Sequence, residues 1–237
     1  MNRIAYLWIF IFIVSSGESL FSFNLCGSEI IHSTLNEQDT LKKDQGFYTG
    51  KVWSNKYRRI NGDQFLFYNY FLPGTVSTKG KTYKNLLIRY DIYSDEIMIL
   101  VNRDEILQLN KEIIDSFTIN FENKVFRFTK IQEGLESLKG YFYVLYKQES
   151  ALYIKHKKEI SPDITEKSDG EFIQTYKIYF VKDSVVYPIA TKNDLNKALY
   201  SYNVQIGNFL KSNKLKVSKK KPESFIPVFR FYDSISQ

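Results

Sequence analysis

From Asn61 to Ile189 the chain alternates short strand-like segments, several with apolar residues at every second position, with turn-forming groups of two or three residues. Lys79-Gly80, Ser94-Asp95, Asn102-Arg103-Asp104, Glu122-Asn123-Lys124, Gln148-Glu149 and Lys182-Asp183-Ser184 are the turn signals. A period of two closed by such turns predicts antiparallel hairpins. The predicted pairs are Thr75–Ser77 with Thr82–Tyr93, Ser116–Phe121 with Val125–Lys130, Gly140–Lys147 with Ser150–Lys157, and Glu171–Val181 with Val185–Ile189. Glu96–Val101 supplies a further strand, and Gln64–Leu72 reads as another, ended by Pro73-Gly74. Within Thr82–Tyr93, Leu86, Ile88, Tyr90 and Ile92 share one apolar face. Leu87, Arg89, Asp91 and Tyr93 share the other, a mixed face expected to be solvated. Residues 158–170 form the longest loop of this region and a candidate boundary between two sheets.

The period changes at Thr191. Leu195, Ala198, Leu199 and Tyr202 have helical spacing behind a polar start, and Val204, Ile206, Phe209 and Leu210 continue it. Phe225, Val228, Phe229 and Tyr232 suggest a short terminal segment; Pro222 suits its start, whereas Pro227 argues against a long helix. The predicted class is therefore mainly β with a helical C-terminus. It is an antiparallel β-meander, whether an open or curved sheet or a sandwich, followed by one to three short helices. With 19 Phe and 18 Tyr the composition favours strands and excludes a disordered chain.

The first residues are of another kind. Met1-Asn2-Arg3 is a short positive start, Ile4–Val14 is unbroken apolar sequence, and Ser15-Ser16-Gly17 offers small residues to a signal peptidase. That layout predicts a secretory signal peptide over 1–17. The run falls short of the about 20 residues that span a bilayer. Lipid attachment at Cys26 is the rival anchor, although the large Leu25 precedes it. As the single cysteine, Cys26 forms no internal disulfide, so the core must hold the fold. The predicted organisation is a signal peptide (1–17), a polar leader (18–50), an antiparallel β-domain (51–190) and a basic helical segment packed on the sheet (191–237).

The formal charge of +7 is concentrated at one end. Residues 18–190 carry equal numbers of Lys/Arg and Asp/Glu, whereas residues 191–237 carry nine Lys/Arg against three Asp/Glu. Six of the nine are Lys211, Lys214, Lys216, Lys219, Lys220 and Lys221. Such a cluster attracts anionic partners in a salt-dependent way, and it also suits a plain solvated helix end. In an exported protein the expected partner is an anionic envelope component or another envelope protein, with peripheral membrane association, and not nucleic acid.

Few residues suggest catalysis. His32 and His156 are the only histidines, and no phosphate loop, HExxH, CxxC or EF-hand spacing occurs. No catalytic residue, metal site or cofactor is assigned. Asp91, Asp95 and Glu96 form the best carboxylate cluster, suited to hydrolysis, to calcium, or simply to hydrogen-bonding a turn. Tyr68, Tyr70, Tyr141, Phe142, Tyr143 and Tyr146 suit a sugar- or lipid-binding face, or an ordinary β core.

Three segments carry a resemblance: Tyr83-Lys84-Asn85 with Arg89–Glu96, Leu109-Asn110-Lys111-Glu112, and Gly140–Tyr146. Here the chain resembles exported β-rich proteins of Bacteroidetes-type bacteria. The resemblance implies an envelope location and brings no catalytic residues. The expected function is a non-enzymatic binding or accessory module of the envelope; the alternatives are a periplasmic carrier of an apolar ligand and a carboxylate hydrolase.

Overall fold

The computed structural model describes residues 47–131, 138–164 and 168–236. The signal segment, Cys26 and His32 lie outside them. Twelve strands form one sheet: β1 (Gly50–Val52), β2 (Ile60–Asn61), β3 (Leu72–Thr78), β4 (Lys81–Asp91), β5 (Glu96–Leu100), β6 (Ile106–Leu109), β7 (Ser116–Phe121), β8 (Lys124–Lys130), β9 (Tyr141–Lys147), β10 (Ala151–Ile164), β11 (Asp169–Lys182) and β12 (Val185–Ile189). Their spatial order is β1-β6-β5-β4-β3-β7-β8-β9-β10-β11-β12, with β2 parallel to β11. Two antiparallel meanders, β3–β6 and β7–β12, thus run outward from a central β3–β7 pair. Helices α1 (Lys192–Ala198), α2 (Asn203–Ser212) and α3 (Ile226–Ile235) follow, as the change of period predicts.

Turn chemistry sets the register. The β3–β4, β7–β8 and β11–β12 hairpins each close through two residues, and both residues have positive φ: Lys79-Gly80, Glu122-Asn123 and Asp183-Ser184. That is the type I′ pattern, whose twist matches the strands it joins. Thr191 begins α1 with a reciprocal capping box to Asp194. Pro227 lies in the first turn of α3, where its missing N–H costs nothing, so the helix runs ten residues despite it.

The sheet is strongly curled. Tyr90 on β4 meets Phe117 on β7, Phe128 on β8 and Tyr141 on β9, at centroid separations of 5.0, 5.4 and 6.1 Å. In a flat sheet β4 and β9 would be about 19 Å apart. Side chains fill the concave face: Ile88, Ile99, Phe117, Ile119, Phe128, Tyr141, Leu152 and Phe180 are almost wholly buried. The helices complete this core. Phe229 of α3 stacks on Phe180 of β11 at 4.5 Å, and Tyr232 packs edge-on to the same ring. Phe47, within the segment read as a leader, is also fully buried, stacked on Tyr83 at 4.1 Å.

Three expectations need correction. Residues 64–71 are not a strand. Only Phe65 bridges to Asp91, after which the chain crosses the outer face of β4. That face is therefore covered, not solvated. Arg89 is 6 % exposed, its guanidinium within 4.6 Å of the Trp53, Phe65 and Phe71 ring centres, with Nη1 donating to Asn69 Oδ1 at 2.7 Å. Second, Pro73-Gly74 lies inside β3 rather than ending a strand. Pro73 pairs with Leu87 on β4, and pairing with β7 begins only at Gly74, so its missing donor faces no ladder. A side chain at Gly74 would collide with Thr118 O, 2.1 Å from the Cβ position. Third, no sheet boundary falls at 158–170. β10 and β11 stay paired from Ala151–Val181 to Ile164–Asp169.

Candidate functional site

The six lysines divide into two groups. Lys211, Lys214 and Lys216 stand around an open cleft of about 450 Å³, joined by Lys192 from the start of α1. Leu210, Leu215 and Val217 form its apolar floor, and no carboxylate lines it. The way α2 ends places these groups. Leu215 N–H donates to Leu210 O at 2.9 Å and Lys214 N–H to Lys211 O at 3.1 Å, closing the helix in a Schellman-type turn. The turn folds Leu215 back against the helix and projects Lys214 and Lys216 outward. Lys214 has φ +52°, the left-handed position where glycine is favoured and a side chain costs about 1 kcal/mol. Gly207 lines the cleft from within α2, with nothing within 4 Å of its Cβ position. Filling it would cost the fold nothing locally and would narrow the cleft.

Lys219, Lys220 and Lys221 belong to the strap between α2 and α3. Lys219 Nζ lies 5.6 Å from the Tyr176 ring centre, and Tyr176 Oη donates to Lys219 O at 2.5 Å. Lys220 and Lys221 are exposed at the following turn. Just beyond them Glu223 pairs with Lys124 of β8 at 3.1 Å. Among the described residues none of the six lysines forms an ion pair with a carboxylate, although Lys221 stands close enough to Glu223 to help lower its carboxyl.

The carboxylates separate too. Asp91 and Glu96 are direct cross-strand partners on β4 and β5. Asp91 Oδ1 accepts the Tyr93 and Ser94 N–H groups at 2.8 and 2.9 Å. Burial nevertheless lifts its carboxyl above the ordinary range. Glu96 is raised as well, chiefly by burial and against the pull of Lys111. Asp95 turns the other way. Its Oδ1 accepts from Lys155 Nζ at 2.8 Å and from Tyr90 Oη at 2.6 Å, and Lys111 lies 3.6 Å from Oδ2. Asp91 and Glu96 border a polar cleft of about 290 Å³ with Trp53, Tyr57 and Lys56. The tyrosines and phenylalanine of β9 are core residues, while Tyr68 and Tyr70 are about half exposed and stack at 5.2 Å.

No family model, curated protein or solved structure matches the chain. The chemistry of its surfaces therefore has to be read from the residues themselves. Among the described residues no group of three or more His, Cys, Asp or Glu could hold a metal ion, and no helix is long and apolar enough to cross a membrane.

Sequence reasoning found three of the four cleft lysines and missed Lys192. Nineteen positions separate Lys192 from Lys211, and only the fold of the helical segment brings them to one cleft. Gly207 did carry a readable signal: a glycine inside a helix is unfavourable without a local reason.

His156 lies on β10 between Tyr143 and Tyr176. Burial, aided by adjacent Lys155, pushes its imidazole from 6.5 down to about 4. The unfolded chain then binds more protons than the native one between these values, so stability falls as pH drops through that window. The loss is at most about 3 kcal/mol. Urea titrations across this range should show a shallower pH dependence in His156→Gln; an identical slope would assign the acid sensitivity to other groups.

Proposed function

We propose that this chain is an exported bacterial envelope protein that works by binding, and that the cleft at the end of α2 takes an anionic group attached to an apolar one. The carrying observation is the pairing of four uncompensated lysines with a floor of Leu210, Leu215 and Val217. A lysine at a left-handed position supports the same reading, because the fold alone favours glycine there. Export rests on the N-terminal sequence, Met1–Gly17.

Binding is better supported than hydrolysis. Asp95 is engaged by two lysines and a tyrosine, Asp91 by turn amides and Glu96 by the Gln108 side chain, so none of the three stands free for chemistry. It is also better supported than an interior carrier, since large side chains occupy the concave face.

A monomeric short-chain phosphatidylglycerol, titrated by calorimetry, tests the cleft. Wild type should bind it, and more weakly as salt rises. Lys214→Gly should bind about fivefold more weakly while folding as well as wild type or better. Gly207→Leu should block the cleft with every charge in place. Wild-type affinity in both variants would overturn the assignment.

A further inference from the structure

The cleft is continuous with an apolar stripe that the core does not use. Along α2, Val204, Gly207 and Lys211 recur at spacings of three and four, which places them on one helix face. Tyr200 stands one turn earlier, in the 3-10 turn Tyr200–Tyr202 that leads into the helix. Ile206 and Leu210, on the adjacent face, are buried, and Leu210 reaches the floor of the cleft. Tyr200 and Val204 are 80 % and 75 % exposed, more than any other large apolar side chain among the described residues. The outward face of α2 thus runs from an exposed tyrosine and valine into a ring of four lysines.

Resting on the binding role proposed above, we infer that this face seats the protein on the surface of an anionic lipid bilayer. Tyr200 and Val204 enter the headgroup boundary, and Lys192, Lys211, Lys214 and Lys216 meet lipid phosphates. Charge complementarity selects this occupant. The lysines lack carboxylate partners among the described residues, and tyrosine is suited to an interface that is apolar on one side and wet on the other. Segregation along the face matters as well. An acidic protein partner would satisfy the lysines yet leave Tyr200 and Val204 without a role, whereas a bilayer engages both ends of the stripe.

Sedimentation with vesicles tests this, using protein purified from an exporting host. One vesicle set holds equal parts phosphatidylglycerol and phosphatidylcholine, the other phosphatidylcholine alone. The neutral set reports any contribution from the apolar run Ile4–Val14, which does not depend on lipid charge. Wild type should partition onto the anionic vesicles and be released by high salt. Each lysine near an anionic surface contributes about a fivefold change, so Lys211→Gln/Lys214→Gln/Lys216→Gln should weaken partitioning about a hundredfold. Tyr200→Ser/Val204→Ser should weaken it about tenfold and leave binding of the monomeric lipid unchanged. If that double variant sediments as wild type does, the bilayer seat is wrong while the cleft assignment stands. If the triple lysine variant keeps both vesicle and monomer binding, both readings fail. Partitioning of wild type that ignores lipid charge would also overturn the bilayer seat.

Discussion

Asp95→Asn should lower the free energy of unfolding by about 3 kcal/mol, a large share of what holds a domain of this size together. Asp95 stands in the turn between β4 and β5, and its chief partner, Lys155, is on β10. Five sheet positions separate β4 from β10, about 24 Å if the sheet were flat. The ion pair of 2.8 Å therefore fastens the curl at one end, beside the backbone bond from Lys158 N–H to Ile92 O at 3.2 Å. Lys158 Nζ continues the seam by donating to Asp63 O and Phe65 O, both at 2.7 Å. Burial already pushes the Lys155 ammonium below its ordinary range, with Asp95 opposing that shift. Neutralising Asp95 leaves a half-buried cation beside Tyr141 O and the Phe142 ring. Asparagine is the informative replacement, because Asp95 has φ +61° and asparagine tolerates that conformation, so the loss reports charge and not backbone strain. Asp95→Ala should be worse, adding the strain and removing the acceptor for Tyr90. Chemical denaturation measures both variants. A loss below about 1 kcal/mol for Asp95→Asn would mean that hydrophobic packing alone maintains the curl. Gly140 belongs to the same junction: at φ +85° its Cβ position lies 1.9 Å from Asp95 Oδ2, so a side chain there would be strained and would displace that carboxylate.

How much of this was legible beforehand depends on the range of the interaction. The hairpins through Lys79-Gly80, Glu122-Asn123 and Asp183-Ser184 are local, and two adjacent residues with suitable φ preferences specify each. The switch to helices at Thr191 is local as well, marked by its capping box. The curl was legible only as one alternative beside an open sheet and a sandwich. It depends on which strands become neighbours, and the sheet reverses direction between β6 and β7, a step that no alternation of polar and apolar residues encodes. The fate of Arg89 shows the same limit. On a strand reading it is the polar half of a solvated face, yet Trp53, Phe65 and Phe71, from positions 36, 24 and 18 residues earlier, enclose it. Burial brings its guanidinium down to about 10, still charged at neutral pH. The candidate sites divide along that line too. The lysines of the α2 terminus were readable as a cluster, whereas the separation of Asp95 from Asp91 and Glu96 followed from a partner on β10.

Phe229→Ala should cost about 3–5 kcal/mol, and its pattern of unfolding matters more than its size. Phe229 has no exposed surface and stacks on Phe180, so alanine would open a cavity between α3 and β11. The same helix is fixed at its far end through Asp233, whose Oδ2 accepts from Tyr146 Oη at 2.8 Å and from Ser150 N–H at 3.2 Å. Just before the helix, the Glu223–Lys124 pair ties the strap to β8. Helix α3 thus bridges from the β7–β8 hairpin to the β9–β10 turn, over a concave face that is already filled. If sheet and helices share one core, the variant should unfold in a single transition at lower denaturant, with far-ultraviolet and near-ultraviolet circular dichroism coincident. Phe229→Leu should keep most of the stability, losing about 1 kcal/mol. A separable lid would behave otherwise: helical signal would melt first and the sheet would persist near its wild-type midpoint. That second pattern would revive the reading of the fold as a carrier that opens for an apolar ligand. Coincident transitions would count against an interior carrier and leave the outer surface of α2 as the face proposed for a partner.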